Sequence, residues 1–131
     1  MDKIVFITGA SSGIGAGCAR KFASQGASLI LNARNVNKLS ALKEELEKQY
    51  GAKIYLLPFD VRDRKAATSA LESLPKEWQS IDILVNNAGL VIGTDKEQEG
   101  SLDEWDIVID TNIKALLAMT RLIVPGMVER K

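Results

Sequence analysis

Residues 8–15 read Thr-Gly-Ala-Ser-Ser-Gly-Ile-Gly and set three glycines between an apolar run over 3–8 and a helical pattern over 14–25. A strand that passes smoothly into a helix needs no such freedom, so the glycines must serve the turn itself. A strand ending at Thr8 aims its carboxyl end at that turn. The helix that follows presents unpaired N–H groups there, which together make an anion site that fits a pyrophosphate. In such a turn Gly9 permits the tight bend, Gly13 allows close approach of the phosphates, and Gly15 lets helix and strand pack closely. Ser11 and Ser12 add hydroxyl donors. A glycine turn can also exist without a ligand; its place between the first strand and the first helix favours a nucleotide.

The rest of the chain alternates short apolar runs with helical patterns, the sign of βαβ units around a parallel sheet. In the first helix Ile14, Cys18 and Phe22 mark one face, with Gly26 just past the end. Residues 28–33 read as a second strand. Val36, Leu39, Leu42 and Leu46 then give the apolar face of a helix over 36–50 with Gly51 as its stop, and Glu44 and Lys48 form an i,i+4 pair on its outer side. Residues 53–59 read as a third strand, whose Pro58 cannot donate to a ladder and belongs at a sheet edge or strand end. A short helix over 64–74 and a fourth strand over 82–86 follow.

A long helix closes the chain. Ser101 and Glu104 have capping-box spacing before it. Trp105, Val108, Ile109, Asn112, Ile113, Leu116, Leu117 and Thr120 form its expected inward stripe. From Ala115 onward, Ala118, Met119 and Leu122 add a second apolar face, so both sides call for a partner.

The 131 residues fit a single domain over 1–131 with room for a sizeable core. Lys plus Arg and Asp plus Glu each number 17, so no basic excess points to nucleic acid or to an anionic membrane. No apolar run approaches the ~20 residues that span a bilayer, and no charged-then-apolar leader precedes the first strand. A single cysteine, Cys18, and the absence of histidine leave no intramolecular disulfide, few triads and no metal-ligand cluster. The expectation is a cytoplasmic protein without a metal.

The glycine spacing is G-x-x-x-G-x-G, and with Thr8 it resembles the fingerprint of the short-chain dehydrogenase/reductase family. The resemblance continues through Asp60-Val61, Asn86-Asn87-Ala88-Gly89 and Asn112, and so covers the whole chain. It implies an α/β, Rossmann-type, doubly wound parallel sheet that binds NAD(P), truncated here after the helix that follows the fourth strand. It also implies hydride transfer between nicotinamide and an alcohol carbon. The segments SLPKEWQSIDILVNNAGLVIG and DTNIKALLAMTRLIVPGMVER and the loop DKEQEG look most like the NADP-dependent 3-hydroxy acid dehydrogenases, which act on serine, allo-threonine and small 3-hydroxy acids. The 3-oxoacyl reductases share every motif quoted. The family's usual tetramers imply a homo-oligomer, dimer or tetramer, built here through Ala115, Ala118, Met119 and Leu122 of the last helix.

Several positions bear on the cofactor. NAD-binding Rossmann proteins usually place an acid at the end of the second strand to hold the ribose hydroxyls. This chain has Asn32-Ala33-Arg34-Asn35 there, and a guanidinium suits a 2′-phosphate. The reading is NADP rather than NAD, although Asn35 stands where related reductases often carry a second basic residue. By the resemblance Asp60 contacts the adenine ring and Val61 packs on it, with Asp63 competing for the role of helix cap. Asn87, Ala88 and Gly89 reach the cofactor at the carboxyl end of the fourth strand, Asn87 at the ribose, while Asn86 ties backbone together. Ile14 belongs to the same cofactor set as Gly9, Ser11, Ser12, Gly13 and Gly15. Asn112 lies in the expected inward stripe, where an unpaired amide costs ~1–3 kcal/mol. The family's asparagine at this place supports a water linked to the catalytic lysine. Thr120 can bond back to its own helix, and Cys18, Trp78 and Trp105 read as packing residues.

The family's chemistry also needs a serine on a fifth strand and a Tyr-x-x-x-Lys pair, in which the tyrosine exchanges the hydroxyl proton and the lysine lowers its pKa. Tyr50 and Tyr55 are the only tyrosines, and Ile54 and Phe59 lie four residues on. Two readings follow. The chain is the cofactor-binding part of an NADP-dependent enzyme acting on a small alcohol or ketone, inactive by itself; or it is a non-catalytic nucleotide-binding or pairing module.

Overall fold

The computed structural model describes residues 2–89 and 102–130, apart from the Trp105 side chain. Ser101, the DKEQEG loop and the packing expected of Trp105 lie outside the described residues. Among the described residues, β1 (Ile4–Ile7), β2 (Ser28–Leu31), β3 (Ile54–Leu56) and β4 (Ile83–Val85) form one parallel sheet in the order β3-β2-β1-β4. Phe6 stands opposite Ile30 on one side and Leu84 on the other. Period-2 alternation sends Val5, Ile7, Leu29 and Leu31 to one face and Phe6 and Ile30 to the other, and both faces are covered, as a parallel sheet requires. The first face packs on α1 (Gly13–Ser24) and α2 (Val36–Tyr50). The second packs on α3 (Arg64–Glu72) and the closing helix, with Trp78 and Ile81 filling the end of that layer. This is the doubly wound parallel sheet that the family resemblance implies, built from the βαβ units expected from the alternation.

Local chemistry sets the boundaries. The Asn35 side chain caps α2 by accepting from the Lys38 N–H at 3.1 Å, and Gly51 ends the helix at φ +63°. Asp63 caps α3 through the Ala66 N–H at 3.0 Å, which settles its competition with Asp60. Pro58 lies exposed beyond β3, an edge strand. Trp78 is buried against Tyr55, ring centres 5.7 Å apart, as a packing residue. The strands are shorter than the apolar runs that mark them, because the runs continue into the loops at the sheet's carboxyl edge.

Three expectations about faces are corrected. In α1 the buried residues are Gly15, Ala16, Ala19 and Ala23; Ile14 is 77% exposed, and Cys18 and Phe22 are only partly buried. The helix lies so close to the sheet that small residues make the contact. In α2, Leu39, Leu42 and Leu46 are buried, whereas Val36, in the first turn, is half exposed.

The largest change is in the closing helix. It runs as α4 (Leu102–Ile109), a π-helical segment (Asp110–Lys114) and α5 (Ala115–Arg130). Its buried residues are Thr111, Ala115, Met119 and Ile123, not the expected stripe, and Ile109, Ile113, Leu116 and Leu117 face outward. A π segment inserts one residue into the helical repeat and turns the following face by about 100°. The same rotation takes Ala115 and Met119 out of the expected association face, since both are core residues of their own chain, while Ala118 is partly buried and Leu122 exposed. No helix of the described residues is long and apolar enough to cross a membrane.

Candidate cofactor-binding site

The chain adds strands outward on one side of β1 through β3 and then crosses to the other side for β4, so β1 and β4 flank a switch point at which an open α/β sheet leaves a crevice. A groove of about 830 Å³ lies there, walled by the segments that follow all four strands. The turn after β1 gives Gly9, Ser11, Ser12, Gly13 and Ile14; the end of β2 gives Asn32, Ala33, Arg34 and Asn35. The loop after β3 gives Phe59, Asp60, Val61 and Arg62, and the rim after β4 gives Asn87, Ala88 and Gly89. Thr111 closes the wall from the π segment.

The three glycines divide the work as the turn requires. Gly9 and Gly13 take φ +61° and +57°. A Cβ on Gly9 would lie 2.9 Å from the Cα of Ala88, so the turn and the β4 rim are in contact through it. Gly15 does not line the groove: it lies buried behind the turn, where a Cβ would stand 2.5 Å from Asn87 Nδ2. Around Gly13 there is open space. Ser12, the N-cap of α1, makes no side-chain cap bond, and no acid occupies the first turn. The helix therefore presents N–H groups and a positive end to the groove, a cradle that suits the phosphates of a dinucleotide.

Hydrogen bonds tie the two halves of this wall together. The Thr8 hydroxyl accepts from the N–H groups of Asn87 and Ala88 at 3.0 and 2.9 Å. Asn87 Nδ2 donates to the Gly9 carbonyl at 3.1 Å. Asn86 donates to the Thr120 hydroxyl at 3.0 Å, and that hydroxyl donates to the Leu116 carbonyl, so Asn86 anchors the rim to the closing helix. On the other side, the buried Asn32 amide donates to the carbonyls of Leu57 and Phe59, both at 3.1 Å, and clamps the ends of β2 and β3 together.

Around Asp60 the groove is charged. The backbone N–H of Arg62 donates to Asp60 Oδ1 at 2.9 Å, its Nε–H lies 3.2 Å from each carboxylate oxygen, and its Nη2–H donates to Oδ2 at 2.8 Å. Arg34 Nη1 stands 4.0 Å from the same Oδ2. The Arg62 hydrogen bonds hold the Asp60 carboxyl below the usual aspartate range, against partial burial, which pushes it up. A depressed carboxyl adds stability that is present above its unfolded value and is lost as pH falls through its folded one. A pH titration followed by NMR at the Asp60 carboxyl carbon should therefore give a midpoint below the ordinary aspartate range. Arg62→Gln should raise it; an unmoved midpoint would remove Arg62 as the cause.

Every expected cofactor residue except Gly15 lines this groove. Asn112 does not line it; it is partly buried, and a Cβ built on Gly89 would stand 3.0 Å from its Oδ1. Sequence reasoning missed the structural hydroxyl of Thr8, the Asn32 clamp, Phe59, Arg62 and Thr111. The Thr111 hydroxyl is buried without a hydrogen-bond partner among the described residues. The signal for Arg62 is its place two residues after Asp60, whose carboxylate its guanidinium meets.

Comparison with known proteins agrees with this geometry. The family model for short chain dehydrogenases matches residues 3–131. The NADP-dependent 3-hydroxy acid dehydrogenase YdfG of Escherichia coli (strain K12) is 46% identical over 127 residues, which are 97% of this chain and 50% of that protein. Sulfoacetaldehyde reductase 2 of Chromohalobacter salexigens is 42% identical over 129 residues, covering 98% and 50%. The closed form of serine dehydrogenase complexed with NADP+ superposes with a TM-score of 0.87 at 45% identity, covering 97% of this chain and 50% of that one. The chain thus spans about half the length of the curated relatives it matches. Matched over nearly all of its length, and with its glycine turn at the switch point of a doubly wound sheet, the chain belongs to the short-chain dehydrogenase/reductase family.

Proposed function

We propose that this chain forms the cofactor-binding part of an NADP-dependent oxidoreductase acting on a small 3-hydroxy acid or a similar alcohol or ketone. The observation that carries the reading is Arg34, exposed at the end of β2 in the groove wall, where an NAD enzyme would place an acid. Its guanidinium would hold the 2′-phosphate. The N–H groups at the start of α1, with Ser11 and Ser12, would hold the pyrophosphate; Asp60 and Val61 would meet the adenine, and Asn87 the ribose through its amide oxygen. Bound in this way, the nicotinamide supplies hydride exchange with the carbon that bears the substrate oxygen. Asn112, beside Gly89 at the rim, would support the water relay at the reacting end. The relatives carrying 3-hydroxy acid, serine and sulfoacetaldehyde in their names favour a small polar substrate.

Titration with NADPH and NADH, followed by cofactor fluorescence, tests this. NADPH should bind more tightly, and Arg34→Ala should weaken it at least tenfold, since a hydrogen-bonded ion contact is worth ~1.5–3 kcal/mol, while NADH binding changes little. Equal affinities that the substitution leaves alone would sink the reading. The alternative is a nucleotide-binding module without a reaction. Turnover of serine with NADP+ by the purified protein separates the two, and a mass well above 14.3 kDa would accompany turnover.

A further inference from the structure

We propose that Arg62 determines the preference for a 2′-phosphate without touching it, by occupying Asp60 and so leaving Arg34 free. The inference rests on the reading above, in which Arg34 takes the phosphate. Among the described residues Asp60 is the acid that pairs with Arg34, at 4.0 Å, and both line the same groove. Left unopposed, its carboxylate would act against an NADP site in two ways: it would draw the Arg34 guanidinium to itself, and it would repel a phosphate dianion. Arg62 blocks both. Its guanidinium covers both carboxylate oxygens and its backbone N–H adds a third donor, so the carboxylate is matched in a forked geometry before Arg34 is considered.

Exposure fits this division of labour. The Arg62 side chain is 28% exposed and Asp60 30%, a half-buried pair screened little by salt, whereas Arg34 is 65% exposed and has room to turn toward a ligand. The other acid near Arg62, Asp110, has a cation of its own in Lys114 at 3.3 Å. Arg62 is thus a positioning residue, acting on Arg34 through Asp60. A lysine at this place would keep the charge and lose the fork.

The test compares NADPH and NADH dissociation constants for the whole purified protein, reading their ratio. Arg34→Ala first establishes that Arg34 carries the preference; an unchanged ratio there would overturn the cofactor reading itself. Given that control, Arg62→Met should reduce the NADPH preference about tenfold, within the range of couplings between contacting charges, and Arg62→Lys should retain most of it. Adding Asp60→Asn to Arg62→Met should restore the ratio, because no carboxylate remains to capture Arg34. Two results would overturn the proposal: a ratio unchanged in Arg62→Met while Arg34→Ala abolishes it, or a double variant as weak as Arg62→Met alone, which would mean that Arg62 meets the phosphate directly. Thermal melts of Arg62→Lys and of the double variant keep the comparison among folded proteins.

Discussion

Gly15→Ala is expected to abolish cofactor binding and to lower stability by roughly 3 kcal/mol, the upper range for forced overpacking. The added methyl would lie 2.5 Å from Asn87 Nδ2 and closer still to the Gly9 carbonyl oxygen. Those two atoms form the hydrogen bond that joins the glycine turn to the β4 rim. Neither can retreat freely, because Gly9 is itself packed against the Ala88 backbone. One methyl therefore displaces the turn, the rim and the N-terminus of α1 together. Gly17→Ala is the matching control: it lies in the same helix, and nothing stands within 4 Å of its Cβ position. Replacing a helical glycine there should stabilise the chain by up to about 1 kcal/mol. Thermal melts of the pair should separate by roughly 10 °C or more, and equal melts would show that the turn is not packed as described.

Met119→Glu is expected to prevent cooperative folding. Met119 is 1% exposed, inside the cluster that includes Phe6, Ile30, Trp78 and Ile123. A carboxylate in that apolar cluster must either ionise in apolar surroundings or stay protonated, and each is costly. Met119→Ala measures the packing alone and should cost about 2–5 kcal/mol. The second apolar face together with the family resemblance places Met119 on an association face, which predicts a folded, smaller species instead. Near-UV circular dichroism and sedimentation distinguish the outcomes: a well-folded Met119→Glu monomer would mean that the closing helix does not pack on the sheet through this residue.

What the sequence made legible was the part fixed by local chemistry. Turn glycines, caps and the length of α2 follow from single residues whose roles do not depend on distant partners. Gly51 stops a helix wherever the chain needs φ near +60°, and Asp63 caps α3 with its own side chain. Faces were harder, because two apolar stripes on one helix carry no mark of which meets the sheet. The π segment at Asp110–Lys114 then shifts the register in a way that no 3.6-residue count contains. In α1, large apolar residues drew attention to Ile14, Cys18 and Phe22, yet close packing on a strand selects alanine and glycine. The groove was legible where a motif names its residues. It was not legible where the site is assembled across strands: the Asp60–Arg62 pair comes beside Arg34 only through the β2–β3 pairing, and Asn32 gains its role only when Leu57 and Phe59 come alongside.

The clamps made by Thr8 and Asn32 have a thermodynamic consequence. They fix the groove's walls as the chain folds, so little backbone ordering is left for the moment of binding, and the entropic cost that usually weakens a flexible site falls on folding instead. Binding and folding then share one equilibrium: a ligand held by the preorganised groove stabilises the native chain by RT ln(1 + [L]/Kd). At a free nucleotide concentration a hundredfold above the dissociation constant, that linkage adds about 2.7 kcal/mol, so under the proposed reading the stability of this chain would follow the supply of nucleotide.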